Sequence, residues 1–134
     1  MPLISVVTSV YNGEAYLKEC VDSVLSQTFQ DFEYIILNNG STDRSAEILA
    51  QYKDPRFRIV HQENLGVPRS LNKGASLCRA NLIARLDADD YVYPNWLEKY
   101  YEFMSGNQEV VICSCRFDEL IKGKIYPKNF PFLE

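Results

Sequence analysis

The sequence predicts an α/β fold: a Rossmann-like, mostly parallel sheet with helices on both faces, in three αβα layers. Short apolar runs rich in β-branched residues alternate with segments whose apolar residues recur at helical spacing. The alternation has the spacing of βαβ units, whose crossovers are right-handed. No repeat or linker divides the chain, so we expect one domain over residues 1–134.

The first two strand and helix pairs have the clearest patterns. Residues 3–10 (LISVVTSV) predict a strand, and an apolar stripe at helical spacing follows it. Residues 32–37 (FEYIIL) predict the second strand, and residues 43–53 predict a helix that Asp43 can cap. The stripe of the first helix comprises Leu17, Cys20, Val21, Val24 and Leu25.

The middle of the chain continues the alternation. Residues 57–61 (FRIVH) and 82–86 (LIARL) predict the third and fourth strands. A weaker helical pattern at 68–79 lies between them, and Pro68 suits its first turn.

The last third of the chain has a weaker pattern. Pro94 suits the first turn of a helix that ends near Gly106, and residues 110–115 predict a fifth strand. Beyond them we expect one short strand at 124–126 and an exposed apolar end around Pro131.

Three polar segments directly follow predicted strands: SVYNGE after the first, NNGSTD after the second and DADD after the fourth. Parallel sheets bind ligands beyond the carboxyl ends of their strands, where the strand order switches. We therefore expect all three segments to face one crevice.

Composition narrows the classes of partner. The 134 residues are 46% hydrophobic and 24% charged, with a net charge of −4, which is typical of a folded domain. The chain has no block of Lys and Arg, so we expect no nucleic-acid partner.

The beginning of the chain and its cysteines indicate a cytoplasmic compartment. No basic leader or run of about 20 apolar residues occurs. The four cysteines, Cys20, Cys78, Cys113 and Cys115, form no CxxC pair, so we expect reduced thiols and no zinc site.

The most crowded charges are Asp87, Asp89 and Asp90. Two carboxylates at a strand end suit Mg²⁺ or Mn²⁺, especially when substrate phosphates complete the coordination shell. Alternatively, Asp89 or Asp90 caps the helix that opens near Pro94. A calcium-binding EF-hand loop is excluded, because Val92 stands where that loop needs glycine.

Other candidate groups have weaker patterns. The turn at Gly40 can bind an anion or a base edge through its amides, or serve as a turn and helix cap. Arg69 can hold a phosphate or simply be solvated. His61 has no nucleophile motif near it, which favours a structural or surface role over a catalytic one.

These motifs together resemble glycosyltransferase family 2, the inverting enzymes with a GT-A fold that use nucleotide-diphosphate sugars. The resemblance covers residues 3–104 in unbroken order. The motifs that carry it are ISVVTSVYNGEAYL, SVLSQTFQDFEYIILNNGSTD, ENLGVPRSLNKG and ARLDADDYVYPNWLEK.

The resemblance assigns roles to seven donor-binding residues and to a metal site. Ser9 and Tyr11 would line the nucleobase pocket, with Glu14 near the base or ribose. Asn39 stands where the family has an Asp that accepts from the uracil ring N–H, and Asp43 closes that motif. Arg69 would approach the base or the phosphates. Asp89 would be the direct Mg²⁺ or Mn²⁺ ligand, and Asp87 would contact the ribose as well as the metal.

Two departures from the family pattern matter. The usual DDGSTD reads NNGSTD here, so the charge-assisted part of a base contact at Asn39 is lost. The family places its acceptor site and catalytic base beyond the stretch that follows Asp90 here. The resemblance therefore implies a domain truncated at its C-terminus, with the base outside the chain.

The resulting expectation is a metal-dependent transfer of a sugar, from a UDP-sugar by preference, to a glycan or lipid-linked acceptor in surface polysaccharide synthesis. A nucleotide-sugar-binding module without catalytic machinery and a nucleotidyltransferase remain as alternatives. The resemblance also leaves open a homo-oligomer and a peripheral association with the inner face of the membrane through the missing part.

Overall fold

The computed structural model describes residues 1–115 and 117–127. Two compact units are present, Met1–Phe103 and Met104–Glu134. The expectation of one domain, truncated at its C-terminus, stays a prediction. The apolar end expected around Pro131 lies outside the described residues. No helix in the described ranges is long and apolar enough to cross a membrane.

The strands and helices alternate as predicted. Each strand except the fourth is followed within a few residues by a helix that returns over the sheet. In chain order they are β1 (Ile4–Val10), α1 (Leu17–Leu25), β2 (Phe32–Asn39), α2 (Ser45–Leu49), β3 (Phe57–Gln62), α3 (Val67–Leu77), β4 (Leu82–Arg85) and α4 (Trp96–Gly106).

The four strands form one parallel sheet in the order β3-β2-β1-β4. The chain adds β2 and β3 on one side of β1 and then returns to place β4 on the other side. The strand order therefore switches between β1 and β4, where an open parallel sheet forms its ligand crevice. All eight residues of β2 are buried, as expected of a central strand covered on both faces.

Helices cover both faces of the sheet, which confirms the α/β prediction. One face packs Val6, Tyr34 and Ile36 against apolar residues of α1, α2 and α4. The other face packs Val7, Ile35 and Leu37 against α3. Gly74 of α3 permits a close approach there, since a Cβ would lie 2.5 Å from Val7 Cγ1.

The structure differs from the predictions at three places. Helix α2 is shorter than residues 43–53, because its end tightens into hydrogen bonds from Gln51 N to Ile48 O and from Tyr52 N to Leu49 O. The strand predicted at 110–115 is wrong. That segment has no ladder, and Val111 and Ile112 are 91% and 84% exposed. Its β-branched residues indicated a strand, but propensity without a pairing partner does not form one.

The third difference lies in the second unit, where β5 (Asp118–Ile121) pairs antiparallel with β6 (Lys124–Pro127). Only β6 was predicted, at 124–126. Lys122 and Gly123 both have positive φ, at 48° and 77°, which is the backbone of a two-residue type I′ hairpin turn. The Lys-Gly pair was therefore the signal for β5.

A buried carboxylate joins β2 to the turn before β4. Glu33 is 2% exposed and accepts from Ser5 Oγ at 2.6 Å. It also accepts from Arg79 N at 2.7 Å and Arg79 Nε at 2.8 Å. Burial opposes ionisation, but the hydrogen bonds from Ser5 and Arg79 and the charge of Arg79 outweigh it and lower the pKa of Glu33.

We expect Glu33→Gln to lower the free energy of unfolding at neutral pH by about 1 to 3 kcal/mol, because the charge-assisted bonds are lost. A lowered folded-state pKa stabilises the protein above the ordinary Glu range, and this contribution disappears as the pH falls through the folded-state value. Urea unfolding of both proteins at pH 7 and pH 3 should therefore show a difference that shrinks on acidification. A pH-independent difference would contradict the assignment.

Candidate active site

The loops after β1, β2 and β4 lie at the carboxyl edge of the sheet, as predicted. The loops after β1 and β2 interlock through reciprocal hydrogen bonds. Glu14 N donates to Asp43 Oδ2 at 2.9 Å, and Arg44 N donates to Glu14 Oε2 at 3.0 Å. Asn12 takes a positive φ of 51°, and its Oδ1 accepts from Thr42 N at 2.8 Å. The two loops therefore form one rigid rim.

Glu14 and Asp43, both predicted to bind the donor, bind main-chain amides in this rim. Asp43 Oδ1 accepts from Ser45 N, the first amide of α2, at 2.9 Å, so both of its oxygens are engaged, but the N-cap residue is Arg44 and not Asp43 as predicted. Burial would raise the pKa of Asp43, but the hydrogen bonds from Ser45 and from the Glu14 amide lower it. The structure thus gives both residues a positioning role, and a donor contact remains a prediction.

The side chain of Asn39 is the centre of a buried polar network and is itself 2% exposed. Its Oδ1 accepts from Gln62 Nε2 at 3.0 Å, from Leu65 N at 2.9 Å and from Ser70 Oγ at 2.9 Å. Its Nδ2 donates to Asn64 Oδ1 at 3.1 Å. A base N–H would have to displace one of these donors, so the predicted base contact remains untested and the network is what the geometry shows.

The same network contains an unsatisfied acceptor. Gln62 Nε2 donates to both Asn39 and Ser70, while Gln62 Oε1 is buried and has no hydrogen-bond partner within residues 1–115 and 117–127. Buried acceptors normally have a partner, so Gln62 Oε1 is available to a donor group of a bound molecule or to a water. Sequence reasoning missed Gln62, although it directly follows His61 at the end of β3.

The remaining predicted nucleotide contacts surround this region. Ser9 is the penultimate residue of β1, lies beside Leu37 and is half-buried, while Tyr11 is exposed in the loop that follows. Arg69 is exposed in the first turn of α3. His61 lies within 3.3 Å of Asn38 Nδ2 through its Nδ1, which supports the structural role predicted for it.

The three aspartates lie in the turn after β4. Asp90 N donates to Asp87 O at 3.1 Å, which closes the turn. Arg85 pairs with the Asp87 carboxylate at 2.8 Å. The side chain of Asp89 is exposed. Burial, followed by the charges of Asp89 and Asp87, raises the pKa of Asp90.

The negative potential of this turn reaches the protein interior. Burial raises the pKa of the Cys20 thiol to about 12; a hydrogen bond from Tyr34 opposes the rise, and the charges of Asp90, Asp89 and Asp87 add to it. Cys20 therefore stays neutral, and its Sγ lies 3.5 Å from Asp87 O. All four cysteines are free, as predicted.

The alternative cap role for Asp89 or Asp90 is taken by another residue. Gln27, which is 1% exposed, accepts from Leu97 N at 2.9 Å in the first turn of α4. Its Nε2 donates to Tyr93 O at 2.7 Å and to Ser23 O at 3.1 Å. Gln27 thus links Tyr93, within the segment after the acidic turn, to the first turn of α4. Sequence reasoning missed it, because a polar residue after a helix looks exposed.

Asp87 and Asp89 are the residues predicted to bind Mg²⁺ or Mn²⁺. Within the described parts of the chain, no three His, Cys, Asp or Glu side chains converge to hold an ion. The carboxylates of Asp87 and Asp89 are hard oxygen donors in a strongly negative turn, which suits Mg²⁺ or Mn²⁺ when phosphate oxygens supply further ligands. The residues therefore fit a cation that binds together with a phosphorylated ligand.

Comparisons with known proteins identify the family of the chain. The model of glycosyl transferase family 2 matches residues 5–132. EpsH, a putative glycosyltransferase of Bacillus subtilis, is 37% identical over 115 residues, which are 84% of this chain and 33% of that protein.

Solved structures share the fold. TarS 1–349 of S. aureus in complex with UDP-GlcNAc has a TM-score of 0.74 at 25% identity, over 81% of this chain and 32% of that one. The Pyrobaculum calidifontis mannosyltransferase PcManGT, in complex with GDP-Man and Mn²⁺, has a TM-score of 0.72 at 19% identity, over 78% of this chain and 32% of that one.

The chain spans about a third of the length of these proteins. The parallel sheet, its switch point and the matched solved structures confirm the predicted GT-A fold. With a family model that covers residues 5–132, the chain belongs to glycosyl transferase family 2.

Proposed function

We propose that this chain binds the nucleotide-sugar donor, by preference a UDP-sugar, in an inverting glycosyltransferase that transfers the sugar to an acceptor hydroxyl. The observation that carries the proposal is the convergence of a rigid polar rim and an acidic turn at the switch point of a GT-A sheet. TarS, a relative of the same fold, has been solved with UDP-GlcNAc and with UDP.

In this proposal the two polar clusters hold different parts of the donor. The buried network around Asn39 and Gln62 supports the nucleoside end, and the acidic turn at Asp87 and Asp89 supports the diphosphate end. A bound Mg²⁺ or Mn²⁺ would neutralise charge on the diphosphate leaving group. An acidic residue outside the chain would take the proton of the acceptor hydroxyl. The acceptor in this proposal is a glycan or a lipid-linked saccharide of surface polysaccharide synthesis.

We expect the chain to bind UDP in the presence of Mn²⁺ and much more weakly in chelator. Asp89→Ala should weaken Mn²⁺-dependent UDP binding by about tenfold or more, equivalent to about 1.4 kcal/mol, because an exposed carboxylate ligand is lost. Isothermal titration calorimetry measures both effects, and GDP in place of UDP measures the base preference.

The matched control is Asp31→Ala, which removes an exposed carboxylate before β2. It should leave UDP binding unchanged. Equal UDP affinity with Mn²⁺ and with chelator, or an Asp89→Ala protein that binds like the wild type, would exclude the metal-dependent site.

A further inference from the structure

Arg85 forms a forked ion pair with Asp87 at the start of the acidic turn. Arg85 Nη2 lies 2.8 Å from Asp87 Oδ1 and 3.2 Å from Oδ2, and Arg85 Nε lies 3.2 Å from Oδ1. The structure thus supplies the counter-charge that three crowded aspartates need. The same carboxylate is the one for which the resemblance gives a metal or ribose role.

The position of Arg85 places it at the crevice. Arg85 is the last residue of β4 and pairs in register with Val7 of β1. In-register residues of adjacent parallel strands project to the same face, and Val7 packs in the cluster that includes Leu71 of α3. Arg85 therefore projects from the face that carries α3, at the carboxyl edge between the two strands where the order switches.

The ion pair is suited to being exchanged. The side chains of Arg85 and Asp87 are 57% and 53% exposed, and ion pairs in water contribute little to stability. Breaking this pair is therefore inexpensive in free energy. A guanidinium fork matches two phosphate oxygens as well as it matches a carboxylate.

We propose that Arg85 binds the diphosphate of the donor, and that its pairing with Asp87 belongs to the donor-free state. A cation that binds Asp87 neutralises this carboxylate and weakens its attraction for Arg85. The donor then offers phosphate oxygens to the released guanidinium, so each charged group keeps a partner in both states. This inference rests on the proposed function, because it requires a nucleotide diphosphate at this edge.

The experiment compares wild type and Arg85→Gln by calorimetry with UDP and with uridine, both in Mn²⁺. We expect the variant to lose about tenfold or more in UDP affinity, because a charge-assisted bond to phosphate is removed. Uridine affinity should stay within about twofold, as for a surface change away from the nucleoside. Arg85→Lys keeps the positive charge but not the forked guanidinium, so its UDP affinity should lie between those of the wild type and Arg85→Gln.

A matched control and a second readout separate this role from a structural one. Arg58→Gln removes an exposed arginine of β3, at the opposite edge of the sheet from β4, and should bind UDP like the wild type. Mn²⁺ alone, followed by electron paramagnetic resonance, should bind Arg85→Gln at least as tightly as the wild type, because the cation that competes for Asp87 is gone.

The outcomes distinguish the two levels of inference. A wild type that binds no UDP in Mn²⁺ overturns the proposed function together with the role of Arg85. A wild type that binds UDP and an Arg85→Gln protein that matches it overturn the role of Arg85 alone. Equal losses for UDP and uridine, or weaker Mn²⁺ binding by the variant, also overturn it, because both indicate damage to the turn.

Discussion

Replacement of Asn39 by alanine is expected to lower the free energy of unfolding by about 3 to 5 kcal/mol, because three donors lose their acceptor in a buried network. Those donors are Gln62 Nε2, Leu65 N and Ser70 Oγ. The total free energy of unfolding of a natural domain is about 5 to 15 kcal/mol, so the variant should be close to unfolding at 37 °C. Urea unfolding followed by circular dichroism measures the change.

The matched control for this prediction is Asn72→Ala, an exposed position on α3. It should change the free energy of unfolding by less than about 0.5 kcal/mol, as surface substitutions usually do. If the Asn39 and Asn72 variants are equally stable, the network around Asn39 does not hold residues 62–70 in place.

Asn39→Asp separates the structural role from base reading. The aspartate keeps an oxygen for the three donors but loses the N–H that reaches Asn64 Oδ1 at 3.1 Å. The variant should therefore fold with a moderate loss of stability. If residue 39 also accepts from the base, the added charge should tighten uridine binding more than guanosine binding. Equal responses would leave Asn39 with the positioning role alone.

Replacement of Gln27 by alanine is expected to lower the free energy of unfolding by about 1 to 3 kcal/mol, because a buried amide loses its acceptor and two partly buried carbonyls each lose one of their donors. These groups are Leu97 N, Tyr93 O and Ser23 O. Since Gln27 links the segment after the acidic turn to α4, Mn²⁺-dependent UDP affinity should fall as well. Chemical unfolding and calorimetry at 10 °C measure the two effects separately.

Gln51→Ala, at an exposed position, is the control and should alter neither property. A Gln27→Ala protein that is less stable but binds UDP with wild-type affinity would show that the acidic turn keeps its shape without this anchor. The role of Gln27 would then be confined to stability.

Local patterns were sufficient for the architecture. The β-branched run of β1 and the continuous apolar run of β2 gave strands, and the stripe around Leu17 and Val21 gave α1, because period and propensity act within one segment. The wrong strand prediction at residues 110–115 also came from a local pattern. A β-branched run indicates a strand, but whether it pairs depends on neighbours distant in sequence.

The candidate site also has a part that the sequence predicts and a part that it does not. Strand ends and acidic residues could be located from the sequence, so the three polar loops at one edge were predicted correctly. The partners of each side chain could not, because Asn39 meets Ser70 and Gln27 meets Leu97 only after the chain has folded back. Nothing in the local sequence shows that the amide oxygens of Gln27 and Gln62 are buried.

The sequence by itself determined the α/β class, the order of the strands along the chain and the kind of chemistry at their carboxyl ends. These follow from short-range periodicity and from the residue types that close each strand. Only the tertiary structure decided that β4 lies beside β1, that Arg85 neutralises Asp87 and that Asn39 is held in a buried network. Each of these depends on which segments, distant in sequence, pack together. The burial of apolar faces determines that packing, and the polar pairs depend on it.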